Sequence, residues 1–342
     1  MSIKSLKVWQ KTLIIIACVL AFLGVAVLGA ITYFKLPVSS YYKASEKAFV
    51  IPDLDDDFVP QGFHYDSEND VFIISGYMSD DDPSPIYLVD RESGRKIKEV
   101  DLKKKNGADF TGHSGGVAVY GEYLYVAGSK CIYVYSYTDL LNAGDDSSLT
   151  SLGTFSTKVS DTDYGGTSFV TVQGDYLYVG EFYDGGKYLT LDSHKVTTPS
   201  GKVNNAIMLK YRLNSACTDT FGFEGKPEAA YSIPDKVQGV AFNGDNIYFS
   251  TSYGASFSHI YEHQFAGITT TDTIDMLDCT LPLYHFDDLT LIKDYKIAPM
   301  SEEIVFVDNY LYTMCESASN KYIFGKLIGG KWCYKTDLTK MK

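Results

Sequence analysis

The stretch Gly115–Gly128, Gly-Gly-Val-Ala-Val-Tyr-Gly-Glu-Tyr-Leu-Tyr-Val-Ala-Gly, decides how the chain is read. Two short apolar runs flank Gly121-Glu122, and such a polar pair supplies the backbone angles that a two-residue hairpin turn needs. The triplet after the turn, Tyr123-Leu124-Tyr125, has counterparts at Asp70-Val71-Phe72, Tyr176-Leu177-Tyr178, Asn246-Ile247-Tyr248 and Tyr310-Leu311-Tyr312. Their central positions are separated by 53, 53, 70 and 64 residues. Gly174-Asp175, Gly244-Asp245 and Asp308-Asn309 stand in the same place as Gly121-Glu122, each preceded by a second apolar run. The repeated unit is therefore a β-hairpin followed by a longer, variable outer part.

Repeats of this size, built of strands that bury both faces against the next repeat, predict an all-β fold, a β-propeller of five blades. Joining the 31 residues after Leu311 to the 34 from Pro37 to Asp70 gives one more ordinary interval, so the ring closes on five. Closure would pair a strand around Ala48 to Ile51 with strands around Tyr322 to Tyr334. A six-bladed ring with one degenerate blade, or two β-sandwiches, are the alternatives.

Superposing the units on their triplets, with one extra residue allowed in the first turn, brings Gln61, Gly115, Ser168, Gln238 and Glu302 to one position. Their neighbours Gly62, Gly116, Phe169, Gly239 and Glu303 fall at the next. In a propeller the innermost strands line the axis, so Gln61 and Gln238 are candidate ligand contacts. Buried amides need partners, and packing between blades is the plainer role for both. The second strands end in small residues at Ser75-Gly76-Tyr77 and Thr251-Ser252-Tyr253-Gly254, but Glu181 and Glu316 put carboxylates there. With Glu302, Glu303 and His113 they form the candidate polar cluster, and Glu303 with Glu316 is the candidate metal pair. Solvated charges at the rim are the competing reading. Tyr77, Tyr253 and Tyr183 are placed to stack on a ligand such as a sugar.

Gly112-His113-Ser114-Gly115-Gly116 matches a nucleophile elbow literally, yet it runs into a hairpin strand where an elbow needs a helix. It is read as the entrance to a blade. The acidic triplets Asp55-Asp56-Asp57 and Asp80-Asp81-Asp82 lack the alternating ligand spacing of a calcium loop and are read as solvent-facing. Six cysteines, none in a CxxC pair, exclude a zinc framework and read mostly as small buried hydrophobes.

An uncharged run of 22 residues, Leu13 to Phe34, follows Lys4, Lys7 and Lys11 and precedes Lys35. That is enough to cross a hydrocarbon core of roughly 30 Å. The lysines place residues 1–12 in the cytoplasm, the anchor at 13–34, a stalk at 35–47 and the propeller at 48–342 outside. A signal peptide leaving at Val27-Leu28-Gly29 is the competing reading, but the apolar run is longer than such peptides use. The localisation expected is a single-pass cell-membrane protein with its C-terminal domain outside the cytoplasm. With 43 acidic and 30 basic side chains the net charge is -13, and the four lysines of the first 36 residues leave the remainder more negative still. Nucleic acid is excluded as a partner by that charge, and an anionic lipid surface would repel the domain beyond its stalk. The absence of any Asn-x-Ser/Thr acceptor fits a bacterial surface protein.

Pro60-Gln61-Gly62-Phe63, Gly112 to Gly116, Gly180-Glu181-Phe182, Ser250 to Gly254 and Glu316 to Ser319 together resemble exported bacterial propellers, loosely akin to the gluconolactonase and strictosidine-synthase-like group. The resemblance implies a polar axial site, with calcium as the cofactor of its lactonase members. Glu302 or Glu303 would stand in for the acidic ligands, while the asparagine ligands have no counterpart. The function expected is a binding module for a cell-wall glycan, an exported protein or a small ligand. The alternative is a metal- or carboxylate-dependent hydrolase or lyase.

Overall fold

The structure, a computed structural model, describes residues 7–342. Lys4, one of the lysines used for topology, lies outside the described residues. Five sheets, mainly antiparallel, radiate from one axis, each with one strand innermost. Those strands are Phe58–Asp66 in blade I, Val117–Tyr120 in II, Phe169–Gln173 in III, Val237–Asn243 in IV and Ser301–Val307 in V. Each contacts the next, and the last contacts the first. The expected five-bladed propeller is present.

The hairpins form as the turns dictate. Asp308 and Asn309 both take left-handed φ, 50° and 64°, as a type I′ turn requires, and Gly121, Gly174 and Gly244 carry positive φ in the other tight turns. Blade I differs. Asp66 pairs with Val71 across the turn, so the residue that corresponds to Leu124 is Phe72 and the triplet is Val71-Phe72-Ile73. Register elsewhere reproduces the superposition: Phe63, Val117, Val170, Val240 and Ile304 occupy equivalent pairs.

Side-chain alternation along the second strands builds the core. Leu124 faces blade I and Tyr125 faces blade III, while Leu311 faces IV and Tyr312 faces I, so each triplet packs both sides of its blade. One apolar cluster fills each of the five spaces between blades. Two strands are added beyond the repeated units. Ser147–Thr150 adds in parallel to the outer edge of blade I, and Cys279–His285 to the outer edge of blade III. Both come from the blade that follows, and both cover an otherwise open edge.

Ring closure follows the expectation: Ser45–Val50 is the outermost strand of blade V, antiparallel to Trp332–Thr336. The expected stalk at 35–47 is not free, however. Leu36–Val38 and the short helix Ser39–Ala44 pack between blades IV and V because Val38, Tyr41 and Ala44, three residues apart, form one apolar side. The Tyr41 hydroxyl hydrogen bonds with the Thr313 hydroxyl at 2.7 Å in the interior. The apolar run is a helix from Val8 to Lys35, 28 residues with none buried, long and apolar enough to cross a membrane. No cysteine is in a disulfide.

Candidate functional site at the end of the axis

Antiparallel pairing brings the starts of the innermost strands and the ends of the second strands to one face, here called upper; the tight turns lie on the lower face. At the upper end three innermost strands carry a register shift in the same place. Gln61-Gly62 sits in the shift of blade I, Gln238 in that of blade IV and Glu302-Glu303 in that of blade V. A bulge re-aims side chains and frees backbone N–H groups from the ladder, and both effects are used.

The axis is closed by close backbone approach and by one side chain. A Cβ on Gly62 would stand 2.8 Å from Gly116 C and Val117 N, so blades I and II meet there only because the position is glycine. A Cβ on Gly239 would stand 2.5 Å from Glu303 Cα. Glu303 reaches from blade V to the neighbouring strands, where its Oε2 accepts the Phe63 N–H at 2.6 Å and the Val117 N–H at 3.2 Å. It thus ties blades V, I and II. The residue is 1% exposed and its Oε1 has no partner. Burial pushes its carboxyl well above the ordinary range, outweighing the two N–H bonds.

Glu302 and Glu316 lie beside it. Glu302 is 2% exposed, its Oε1 is also unpartnered, and burial, then the charges of Glu316 and Glu303, raise its pKa well above normal. Glu316 opens the 3-10 turn Glu316–Ala318 after the second strand of blade V and accepts the Gln61 Nε2–H at 3.1 Å. Burial raises its pKa to about 7, against the lowering effects of Lys321 and Gln61. A carboxyl with pKa about 7 therefore stands nearest the opening, with two more deeply buried carboxyls near it.

Rings surround this opening. Tyr77 stacks on His113, ring centres 4.2 Å apart, and its hydroxyl accepts the Lys321 Nζ–H at 2.6 Å. His113 stays at the surface, and desolvation under Tyr77, followed by the charges of Lys321 and Lys187, lowers its pKa. Across the mouth Phe182 contacts Tyr188 at 5.4 Å and Tyr253 at 6.1 Å. Tyr188 and Tyr253 are 40% and 44% exposed, available as faces for stacking. The mouth thus offers aromatic faces, hydroxyls, two lysines and a titrating carboxylate, the donor set that recognises a hydroxylated ring or a small polar molecule.

Of the residues singled out from sequence, Gln61, Tyr77, His113, Glu303 and Glu316 converge here. Gln238 occupies the equivalent bulge in blade IV and is half-buried. Tyr253 sits on the far rim. Glu181 is engaged elsewhere: its oxygens hold His194 Nδ1 at 2.9 and 3.0 Å and accept the Gly166 and Ile207 N–H groups at 3.0 Å each. It is a buried brace within blade III. Ser114 is buried with its Oγ unpartnered, so no base is hydrogen-bonded to it, consistent with a blade entrance. Lys321, Tyr322 and Tyr188 were not signalled as site residues by sequence, since they lie in irregular connections outside the repeat; Phe182 belongs to the repeated segment Gly180-Glu181-Phe182, where the sequence pointed to Glu181 alone. Calcium takes six to eight oxygens. With one Glu303 oxygen committed to two N–H groups and the Gln61 amide nitrogen turned to Glu316, the residues present do not fit that ion. Among the described residues no three His, Cys, Asp or Glu side chains group as metal ligands.

No family model matches the sequence, and no curated protein matches it. Solved structures are similar to the chain at low identity, and these neighbours include β-propeller proteins. The chain is similar to Myxococcus xanthus glutaminyl cyclase at 11% identity and a TM-score of 0.40, covering 82% of this chain and 89% of that one. It is similar to a luciferin-regenerating enzyme at 11% identity and a TM-score of 0.39, covering 84% and 91%. Against Kuenenia stuttgartiensis hydrazine synthase the identity is 11% and the TM-score 0.37, and the match spans 74% of this chain but only 55% of that one.

Proposed function

We propose that the protein is a membrane-anchored binding module that holds a small polar ligand or the sugar of a cell-wall glycan over the upper mouth of the axis. The observation that carries this reading is the stacking of Tyr77 on His113 beside Glu316, a carboxyl with pKa about 7, with Tyr188 and Tyr253 exposed on the far rim. Stacking supplies affinity for a ring, and the carboxylate with Lys321 supplies hydrogen bonds that select among rings. The propeller then faces the outside of a bacterial cell, tethered by the helix Val8–Lys35. An exported protein partner is the weaker form of the proposal, because the polar groups lie in the mouth.

The test is a survey of glycans and peptidoglycan fragments with full-length protein in detergent, run beside Tyr253→Ala and Glu316→Gln. Capture of a saccharide that both variants weaken supports the reading. Capture of nothing, or of ligands to which both variants are indifferent, removes it.

The second reading, a carboxylate-dependent hydrolase of the lactonase-like kind, is favoured by the same Glu316. A group with pKa near neutrality is suited to give and take a proton. Turnover of a lactone or glycoside panel, abolished by Glu316→Gln while binding survives, would select it over simple binding.

A further inference from the structure

The last turn of the helix Val8–Lys35 lies on the upper face, the one that carries the mouth. Phe34 stacks on Phe324 at 5.2 Å, and Tyr33 and Phe34 both approach Phe257 at 6.4 Å. Phe257 immediately precedes the third strand of blade IV at its upper end, and Phe324 belongs to the connection between Glu316 and Trp332 in blade V. Two large apolar side chains of that connection, Ile323 and Leu327, are 61% and 52% exposed. Ile323 takes φ of 47°, a costly conformation for a β-branched residue. Its N–H is bonded to Ser319 O and its carbonyl accepts the Lys326 N–H, so the backbone holds the side chain outward. Nothing in the fold of the domain requires these groups to face water.

We infer that the upper face docks on the bilayer surface through Ile323, Leu327 and Phe257. The inference rests on the helix being a membrane anchor, as proposed above. If that helix spans the bilayer, its last turn marks the hydrocarbon edge, and the loop touching that turn has no gap to cross. Lys296 lies over the Phe257 ring at 4.1 Å, and Lys326 and Lys331 flank the loop, placing cations around an apolar tip as interfacial segments do. Lys326 is paired with Asp55, and the acidic runs Asp55–Asp57 and Asp80–Asp82 lie toward blade I. Contact is therefore confined to blades IV and V, with the blade I edge tilted away from anionic lipid. Tyr322 and Lys321, which edge the mouth, directly precede the docked tip. The mouth then opens beside the headgroup layer and receives ligands that travel along it.

The experiment places a single tryptophan at Leu327 in full-length protein, with Trp9 and Trp332 replaced by Phe, in liposomes of brominated phosphatidylcholine and phosphatidylglycerol. A Leu289→Trp protein serves as control, since Leu289 is 72% exposed between the third and fourth strands of blade IV on the lower face. Side chains set into the headgroup and acyl boundary lie within reach of bromine, so the Leu327→Trp emission should fall by roughly half while the control keeps its own. Equal, weak quenching of both proteins, with the chain still resisting carbonate extraction, overturns the docking and leaves the anchor standing. Release by carbonate overturns the anchor and the docking with it. Protection of Leu327→Trp from both bromine and aqueous acrylamide would show a protein covering the tip and overturn the lipid assignment.

Discussion

Replacing Glu316 by Gln should make the protein more stable, by an amount that grows as pH rises from about 4.5 to about 7 and is full above it. The Glu316 carboxyl has an ordinary pKa of 4.5 and rises to about 7 in the fold, chiefly because burial penalises its charge. Its folded pKa lies above its unfolded one. Between those values the folded state binds a proton that the unfolded chain has lost, so stability falls as pH rises through this window. Below about pH 4.5 both states are protonated and the side chain is neutral in each. Above pH 7 the folded protein carries the full penalty, about 3 kcal/mol from 1.36 kcal/mol per pKa unit, or ~2 kcal/mol once solvent at the mouth is allowed for. Glutamine keeps an oxygen for the Gln61 amide and carries no charge, so it removes the penalty without removing the bond. For a domain of this size that amounts to about 4–6 °C in Tm at pH 8. The assay is thermal unfolding of the full chain in one detergent at pH 5 and pH 8. An equal Tm difference at both pH values, or a less stable variant at pH 8, would refute the burial argument and show a carboxylate stabilised by Lys321.

The axial brace gives a second test: Glu303→Ala, which loses two N–H bonds and leaves a cavity, should cost about 3–5 kcal/mol in denaturant titration, while Glu303→Gln should cost far less. Equal losses would show that the carboxyl is ionised. Gly239→Ala must displace the Glu303 backbone, because its Cβ would stand 2.5 Å from Glu303 Cα, so the midpoint should drop by the equivalent of ~2 kcal/mol or more. Tyr41→Phe removes the hydroxyl bonded to Thr313 and leaves that buried partner alone; a loss of about 1–2 kcal/mol is expected, whereas no loss would mean that residues 36–44 are not docked on the domain.

Much of this architecture is legible in the sequence, and the reason is local. A two-residue turn and a strand of period two are short-range signals, so Gly121-Glu122 with Tyr123-Leu124-Tyr125 announces a hairpin without help from the rest of the chain. Equivalence of Gln61, Gln238 and Glu302 is legible because register fixes them relative to those turns. What sequence does not carry is the identity of partners brought from afar. Glu181 and Glu303 look alike as acids near an axis, yet one meets His194 and two N–H groups within blade III while the other meets backbone from blades I and II. Ser39–Ala44 reads as a polar linker because its apolar side, Val38, Tyr41 and Ala44, is complemented only once blades IV and V have formed. The same holds for Lys321 and Tyr322, which reach the mouth through an irregular connection with no periodicity to read.

The proposed function places ligand over Glu316 at the axis. It is tested most directly by calorimetric titration of the captured saccharide into the full-length protein at pH 7, repeated in buffers of different ionisation enthalpy. A ligand that binds one protonation state of a carboxyl with pKa about 7 in preference to the other changes its protonation, so the observed heat should vary with the buffer and cease to vary in Glu316→Gln. Binding heats that are the same in every buffer for the native protein, with affinity unchanged in Tyr77→Ala, would contradict an axial site.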